Sequence, residues 1–551
     1  MTRRIIFLSC VPMKLSLTAL FALLFSASVT AQTNTDILHY RFAIELNDQN
    51  DTIVGHTLVT LVATSAGRSV TLDLQSVSPK GKGMIVGRTI LPYVVNGNDN
   101  APTSRFTHQK NKLTIEALQP FNTGDTLQLF IQYKGIPEDG MIISKNSYGH
   151  RTFFADNWPD RAHHWIPCVD QPGDKASFEF LVTAPEHYQV VSNGIQIEET
   201  SLSGHKKLTH WREDIALPTK VMVIGVAAFA VQHTGFVNNC IPVSSWVFPE
   251  NAEKGFYDYS IGTEVLAFFD QYIGPYPYRK LANVQSKTVY GGMENAGAIF
   301  YYENSVTGQR SEEGLFAHEI VHQWFGDMAT EKSFAHLWLS EGFATYLTHI
   351  YMEHQYGTDS LNKRMKEDRA SVLSFVKESK RPVVDSTPNY KSLLNANSYQ
   401  KGSWVLHMLR REIGDSLFHA GVRAYYDLYK GRNAETKDLQ VVFERISGKP
   451  LETFFRQWLF RGVNPKLQIS WKEDPSTDGL IITIDQVQKG DPFEMALEME
   501  LHYEGNSKEV RRFDLSKISH SFLITGKGNL LKIIPDPGTS LLAEFNILSG
   551  K

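Results

Sequence analysis

Two histidines stand four residues apart at His318 and His322, Glu319 follows the first, and Glu341 comes after a gap of eighteen residues. No other feature constrains the chain as strongly. On a helix, side chains four apart project from the same face, one turn above the other. Two imidazoles so placed can share one metal ion, and a further ligand must then come from another element. "HLWLSEGFATYLTHIYMEHQYG" supplies Glu341 at the start of a second helix, and the segment from Gly326 to Leu339 is long enough to fold that helix back on the first. Ser311 is placed to cap the first helix, with Glu312 and Glu313 in its first turn, and Gly326 is placed to end it.

A zinc ion that activates water takes three protein ligands and keeps one position open, and His318, His322 and Glu341 would make such a set. Glu319 lies about 100° around the helix from His318, where its carboxylate can reach a water on the metal. The bland alternative is a salt-bridged helix surface, since the short His-Glu-x-x-His pattern also arises by chance. The spacing to Glu341 and the helical context weigh against chance. No Cys-x-x-Cys pair occurs, so any metal is held by histidine and carboxylate.

Hydrophobic periodicity divides the rest of the chain. "HYRFAIEL" alternates Tyr40, Phe42, Ile44 and Leu46, and "TLQLFIQY" alternates Leu127, Leu129, Ile131 and Tyr133. The spacing turns helical near Pro249, in "ENAEKGFYDYSIGTEVLAFFDQYIG", and stays mainly helical to about Phe460. Alternation then returns, with Met495, Leu497, Met499, Leu501 and Tyr503 on one face. These shifts predict a multidomain α+β chain: an all-β domain over 32–248, a mainly helical domain over 249–463 and a small β domain over 464–551. With 551 residues and a net charge of −4, the chain has no basic field suited to nucleic acid.

Residues 1–31 read as an export signal. Arg3, Arg4 and Lys14 supply positive charge, "LSLTALFALLFSASV" is apolar, and Val29 and Ala31 suit cleavage after Ala31. Translation could start at Met1 or at Met13. The apolar run is short for a membrane span, so a periplasmic or secreted protein without stable membrane insertion is expected. Cys10 lies in this region. Cys168 and Cys240 would remain, and the sequence leaves open whether they pair.

"HEIVHQWFGD" followed by "LWLSEGFATY" resembles the M1 family of zinc aminopeptidases. "GGMENAGAIFYYENS" from Gly291 is similar to that family's Gly-x-Met-Glu-Asn exopeptidase motif, and "SYQKGSWVL" to its Tyr-x-Lys-Gly segment. "PCVDQPGDKASFEF", "PYPY" and "FFRQWLFRGVNPKL" follow the family's course. Three departures stand out: Phe334 and His336 before "LWL", Ser340 in "LSEG", and Gln171 in "DQP". The resemblance implies a saddle-like β domain, a thermolysin-like catalytic domain and a C-terminal β-sandwich, with one Zn2+ per chain and peptides with a free N-terminus as substrates. It implies that Glu319 is the general base, that Tyr399 stabilises the oxyanion, and that Glu294 pairs with the substrate's α-amine. The stretch Gly291, Gly292, Met293, Glu294 and Asn295 would line the substrate as an edge strand. Asp156 or Asn157 would add the first domain's amine contact, with Asn157 preferred. Two alternatives remain. An epoxide hydrolase of the leukotriene hydrolase type shares the scaffold, but carries a tyrosine where Leu394 stands. A peptide-binding protein with a dead site would have lost Glu319 or a ligand.

Overall fold

The computed structural model describes residues 34–92, 102–474, 476–477, 479–525 and 528–548. The expected export signal and its cleavage site lie outside these residues. From Thr35 to Val247 the chain is built of strands. Thr35–Glu45 pairs antiparallel with Ile53–Ala63 and parallel with Lys175–Pro185, at the middle of a seven-stranded sheet. The alternation read from the sequence sets which face is buried. Tyr40, Phe42, Ile44 and Leu46 are each about 1% exposed or less, and their strand neighbours face outward. A four-stranded sheet, whose inner strand Arg151–Ala155 is almost wholly buried, leads directly into Asp156 and Asn157.

A five-stranded sheet crosses the expected boundary at 248. Its order joins Ala230–Val237 and Ile241–Val247 to Leu281–Gln285, Ala298–Tyr301 and Gly292–Met293. Strand alternation reveals that a segment is extended, not which sheet it joins, so periodicity alone placed residues 230–247 with the first domain. The helical stretch that follows is two helices, α1 (Ala252–Tyr259) and α2 (Ile261–Tyr272), which meet at Ser260.

Three helices form the centre of the next region. They are α3 (Glu313–His322), α4 (Trp338–Tyr356) and, after a long fifth helix α5 (Thr358–Glu378), α6 (Gly402–Ile413). Every residue of α4 from Trp338 to Met352 is buried, so this helix is packed all round. Past Phe460 the chain forms a four-stranded and a three-stranded sheet. Leu467, Ile482, Leu497, Leu501 and Phe513 fill the space between them, and the Phe513 and Phe522 rings meet edge to face across it at 4.9 Å. The chain is therefore a multidomain α+β protein: β first, helical centre, β-sandwich last.

Cys168 is buried, Cys240 is exposed and both are free, so they form no disulfide.

Candidate active site

α3 and α4 pack against each other, and their contact brings three side chains to one point. His318 Nε2 and His322 Nε2 lie 3.2 Å apart. Glu341 Oε2 lies 3.4 Å from the first and 3.3 Å from the second. These are the edges of one face of a small tetrahedron. Four ligands about 2.0–2.1 Å from a zinc ion stand roughly 3.3–3.4 Å from one another. The residues therefore fit zinc in donor type and in spacing. Glu341 Oε2 is also buried without a well-formed hydrogen bond, which a cation would relieve.

Neighbouring groups orient the candidate ligands. His322 Nδ1 lies 3.1 Å from the Phe325 carbonyl and 3.0 Å from Ser340 Oγ. With its Nδ1 proton directed there, Nε2 keeps its lone pair for a metal. Gly326 completes this arrangement. Its φ is +119°, and a Cβ there would fall 2.3 Å from Ser340 Oγ and 3.1 Å from His322 Nδ1. α3 itself ends earlier, at His322, and Gly326 lies in the turn beyond. At the other end, Ser311 does not cap the helix. Glu312 holds the cap position and makes no side-chain capping bond. The first turn of α3 is tied in through Glu313, whose carboxylate accepts from the Tyr351 and Tyr356 hydroxyls.

A cavity of about 240 Å³ opens above the three ligands. Gly291, Gly292, Met293, Glu294, Glu319, Leu394 and Tyr399 line it along with them. Gly292–Met293 is the last strand of its sheet; among the described residues it pairs only with Ala298–Tyr301, which leaves its other edge open. It lies close against the general-base candidate: a Cβ on Gly292 would stand 2.3 Å from Glu319 Oε1. Tyr399 sits in a π-helical turn, Asn397–Lys401, just before α6, and its ring stacks on that of His318 at 5.9 Å. Burial, with the carboxylates of Glu341, Glu294 and Glu319, pushes the Tyr399 hydroxyl well above its usual pKa, so it stays protonated and able to donate. Burial likewise raises the Glu319 carboxyl. His322 opposes this, while Glu294 and Glu341 add to it.

Gln323, which the sequence did not single out, fixes the loop that carries Glu294. Its Nε2 donates to the Glu294 carbonyl at 2.6 Å, and its Oε1 accepts from the Gly297 amide at 2.7 Å. One buried side chain thus grips both ends of the turn. The only cue was its place directly after His322, because its partners lie 26 and 29 residues away. Leu315, Trp158 and Tyr290 also join the cavity wall. Leu315 was findable by helical spacing, one turn before Glu319.

Asn157 is not in the wall. Its Nδ2 donates to the Thr219 and Met222 carbonyls, and its Oδ1 accepts from Trp165 Nε1. Asp156 is equally engaged, with Arg161 on one oxygen and the Val289 amide on the other. Asp156 ties the first domain to the loop before the edge strand, Asn157 is held within the first domain, and neither presents a spare polar atom to the cavity. Asn295 is fully buried outside the wall, and neither polar atom of its amide has a hydrogen-bond partner among the described residues.

Residues 37–221 match the model of the peptidase M1 N-terminal domain, and residues 257–458 match that of the peptidase family M1 domain. The chain belongs to peptidase family M1. Neither match includes the strands at 230–247. Among M1 relatives, a probable aminopeptidase 2 of Sulfurisphaera tokodaii is 27% identical over 71% of this chain and 53% of that protein. Aminopeptidase 2 of Candida albicans is 27% identical over 79% of this chain and 48% of its own length. Glutamyl aminopeptidase of Rattus norvegicus is 27% identical over 58% of this chain and 35% of its own. The chain spans about a third to a half of the curated relatives it matches.

Proposed function

We propose that the chain is a zinc-dependent aminopeptidase that removes N-terminal residues from peptides. One observation carries this reading. Three carboxylates, Glu294, Glu319 and Glu341, converge on one cavity whose wall holds no lysine or arginine. A divalent ion and one α-ammonium group would bring three positive charges to meet three negative ones.

His318, His322 and Glu341 would hold the ion. Zinc, when bound, supplies a Lewis acid that lowers the pKa of water toward neutrality and polarises a carbonyl. Glu319 takes a proton from the attacking water and delivers it to the departing amine. The protonated Tyr399 hydroxyl donates a hydrogen bond to the developing oxyanion. Glu294 pairs with the substrate's α-ammonium, a charge-assisted contact that an internal peptide bond cannot make. The open edge of Gly292–Met293 offers backbone hydrogen bonds to the extended peptide. His318, His322, Glu341 and Glu319 are all present, which disfavours a binding protein with a dead site, and Leu394 brings no hydroxyl for epoxide chemistry.

Among the described residues no helix is long and apolar enough to cross a membrane. Together with the basic and apolar N-terminus of the sequence, this is consistent with an exported enzyme.

Chelation tests the metal. Dialysis against a chelator should abolish hydrolysis of an amino-acid amide, and one equivalent of zinc should restore it. Full activity in protein shown to be free of metal would overturn the proposal.

A further inference from the structure

We infer that the residue this enzyme removes has a large, uncharged, apolar side chain, such as Leu, Met or Phe, and that Leu394 helps to enforce the choice. The inference rests on the aminopeptidase reading. In that reading both ends of the first residue are fixed: Glu294 holds its amine, and the metal ligands and Glu319 surround its carbonyl. Its side chain must then occupy the cavity that these groups share.

The rest of that cavity is apolar. Trp158, Tyr290, Met293, Leu315 and Leu394 form its wall beside the three carboxylates and the two histidines. These residues come from separate parts of the chain. Trp158 follows the first domain's buried strand and meets the Tyr290 ring edge to face at 5.9 Å. Leu315 stands on α3 one turn before Glu319, and Leu394 immediately follows the short turn Tyr390–Leu393.

No charged group in this wall is free to receive a charged side chain. Two cations lie behind it: Lys220, near Glu294, donates to Glu331, and the Arg161 guanidinium lies 5.7 Å from the centre of the Tyr290 ring. Its Nη1 and Nη2 donate to Asp139 and Asp156, and its Nε donates to the Trp158 carbonyl. A glutamate or aspartate side chain would find no partner and would add a fourth carboxylate to three. A lysine or arginine side chain would find only carboxylates already engaged by the amine, the metal and the proton transfer. Burying an unpaired charge is costly, whereas apolar surface gains from this wall. A small side chain such as that of Ala would leave much of the 240 Å³ unfilled.

The test is a panel of peptide amides differing only in the first residue: Leu, Met, Phe, Ala, Glu and Arg. With the parent enzyme, kcat/KM for Leu, Met and Phe should exceed that for Ala by about tenfold or more, and that for Glu and Arg by a larger factor. A preference for Glu, Arg or Ala, with cleavage intact, would overturn the inference and leave the aminopeptidase reading standing. Cleavage of no member would overturn that reading and the inference with it. Leu394→Asp places a carboxylate in the wall, so the Arg-to-Leu ratio of kcat/KM should rise at least tenfold. Leu394→Asn, which adds polarity without charge, should lower activity toward Leu with little gain for Arg. An unchanged ratio in a folded, zinc-loaded Leu394→Asp enzyme would remove Leu394 from the pocket's selectivity.

Discussion

Gly342 and Gly402 face each other backbone to backbone: a Cβ on Gly342 would stand 2.9 Å from the Cα of Gly402, and a Cβ on Gly402 would stand 2.9 Å from the Cα of Gly342. Gly342 follows the metal-ligand candidate Glu341 on α4. Gly402 begins α6, three residues after Tyr399. The closeness of these two helices therefore sets the distance between Glu341 and Tyr399. Gly402→Ala would have to separate them. Overpacking of this kind typically costs about 1–3 kcal/mol. The variant should unfold at a lower temperature and turn over substrate more slowly. Parent-like values for both in a calorimetric and kinetic comparison would show that the contact can yield.

Glu319→Gln tests the proton transfer apart from the metal site. The amide leaves His318, His322 and Glu341 in place and cannot accept the proton. Zinc content should match the parent, and turnover should fall on the order of 10²- to 10⁴-fold. Near-parent turnover would assign the base to another group.

The pairing of His318 with His322 was legible because helix geometry maps a four-residue step onto one face, and Glu341 because it stands near the start of a second helix. The strands were legible because Tyr40, Phe42 and Ile44 alternate with exposed neighbours. What escaped depends on contacts between distant segments. The sheet that claims residues 230–247 is completed by strands 281–285 and 298–301. The Gln323 clamp closes on a loop some thirty residues upstream. Asn157 was placed by the family resemblance, yet carbonyls more than sixty residues away engage its amide. Ser311 offered a good local cap that the packed helix does not use.

Acid stability should depend on Glu179. Hydrogen bonding to His39, and with it His210 and Arg41, holds the Glu179 carboxyl down at about 2, against the opposing effect of burial. His210 Nε2 lies 2.6 Å from its Oε2. The folded pKa is below the unfolded one, so the stabilisation is fully present above about pH 4.5 and is lost as pH falls toward 2. Glu179→Gln should therefore be less stable than the parent at pH 5, and the gap should close by about pH 2. Denaturant midpoints measured across that range would show it. A gap that is constant with pH would mean that Glu179 acts through packing alone.

In the proposed mechanism Glu294 reads a free α-amine beside a metal-dependent hydrolytic centre. The direct measurement is kcat/KM for one peptide with its amine free and with its amine acetylated, using the parent and Glu294→Ala. The parent should cleave the free peptide well and the acetylated one barely. Glu294→Ala should lose most activity on the free peptide, since one charge-assisted contact is worth about 1.5–3 kcal/mol, and lose little more on the blocked one. The two changes should be strongly non-additive, as expected for two partners in one interaction. Losses that simply add would show that Glu294 does not bind the amine, and would contradict the proposed exopeptidase role of this site.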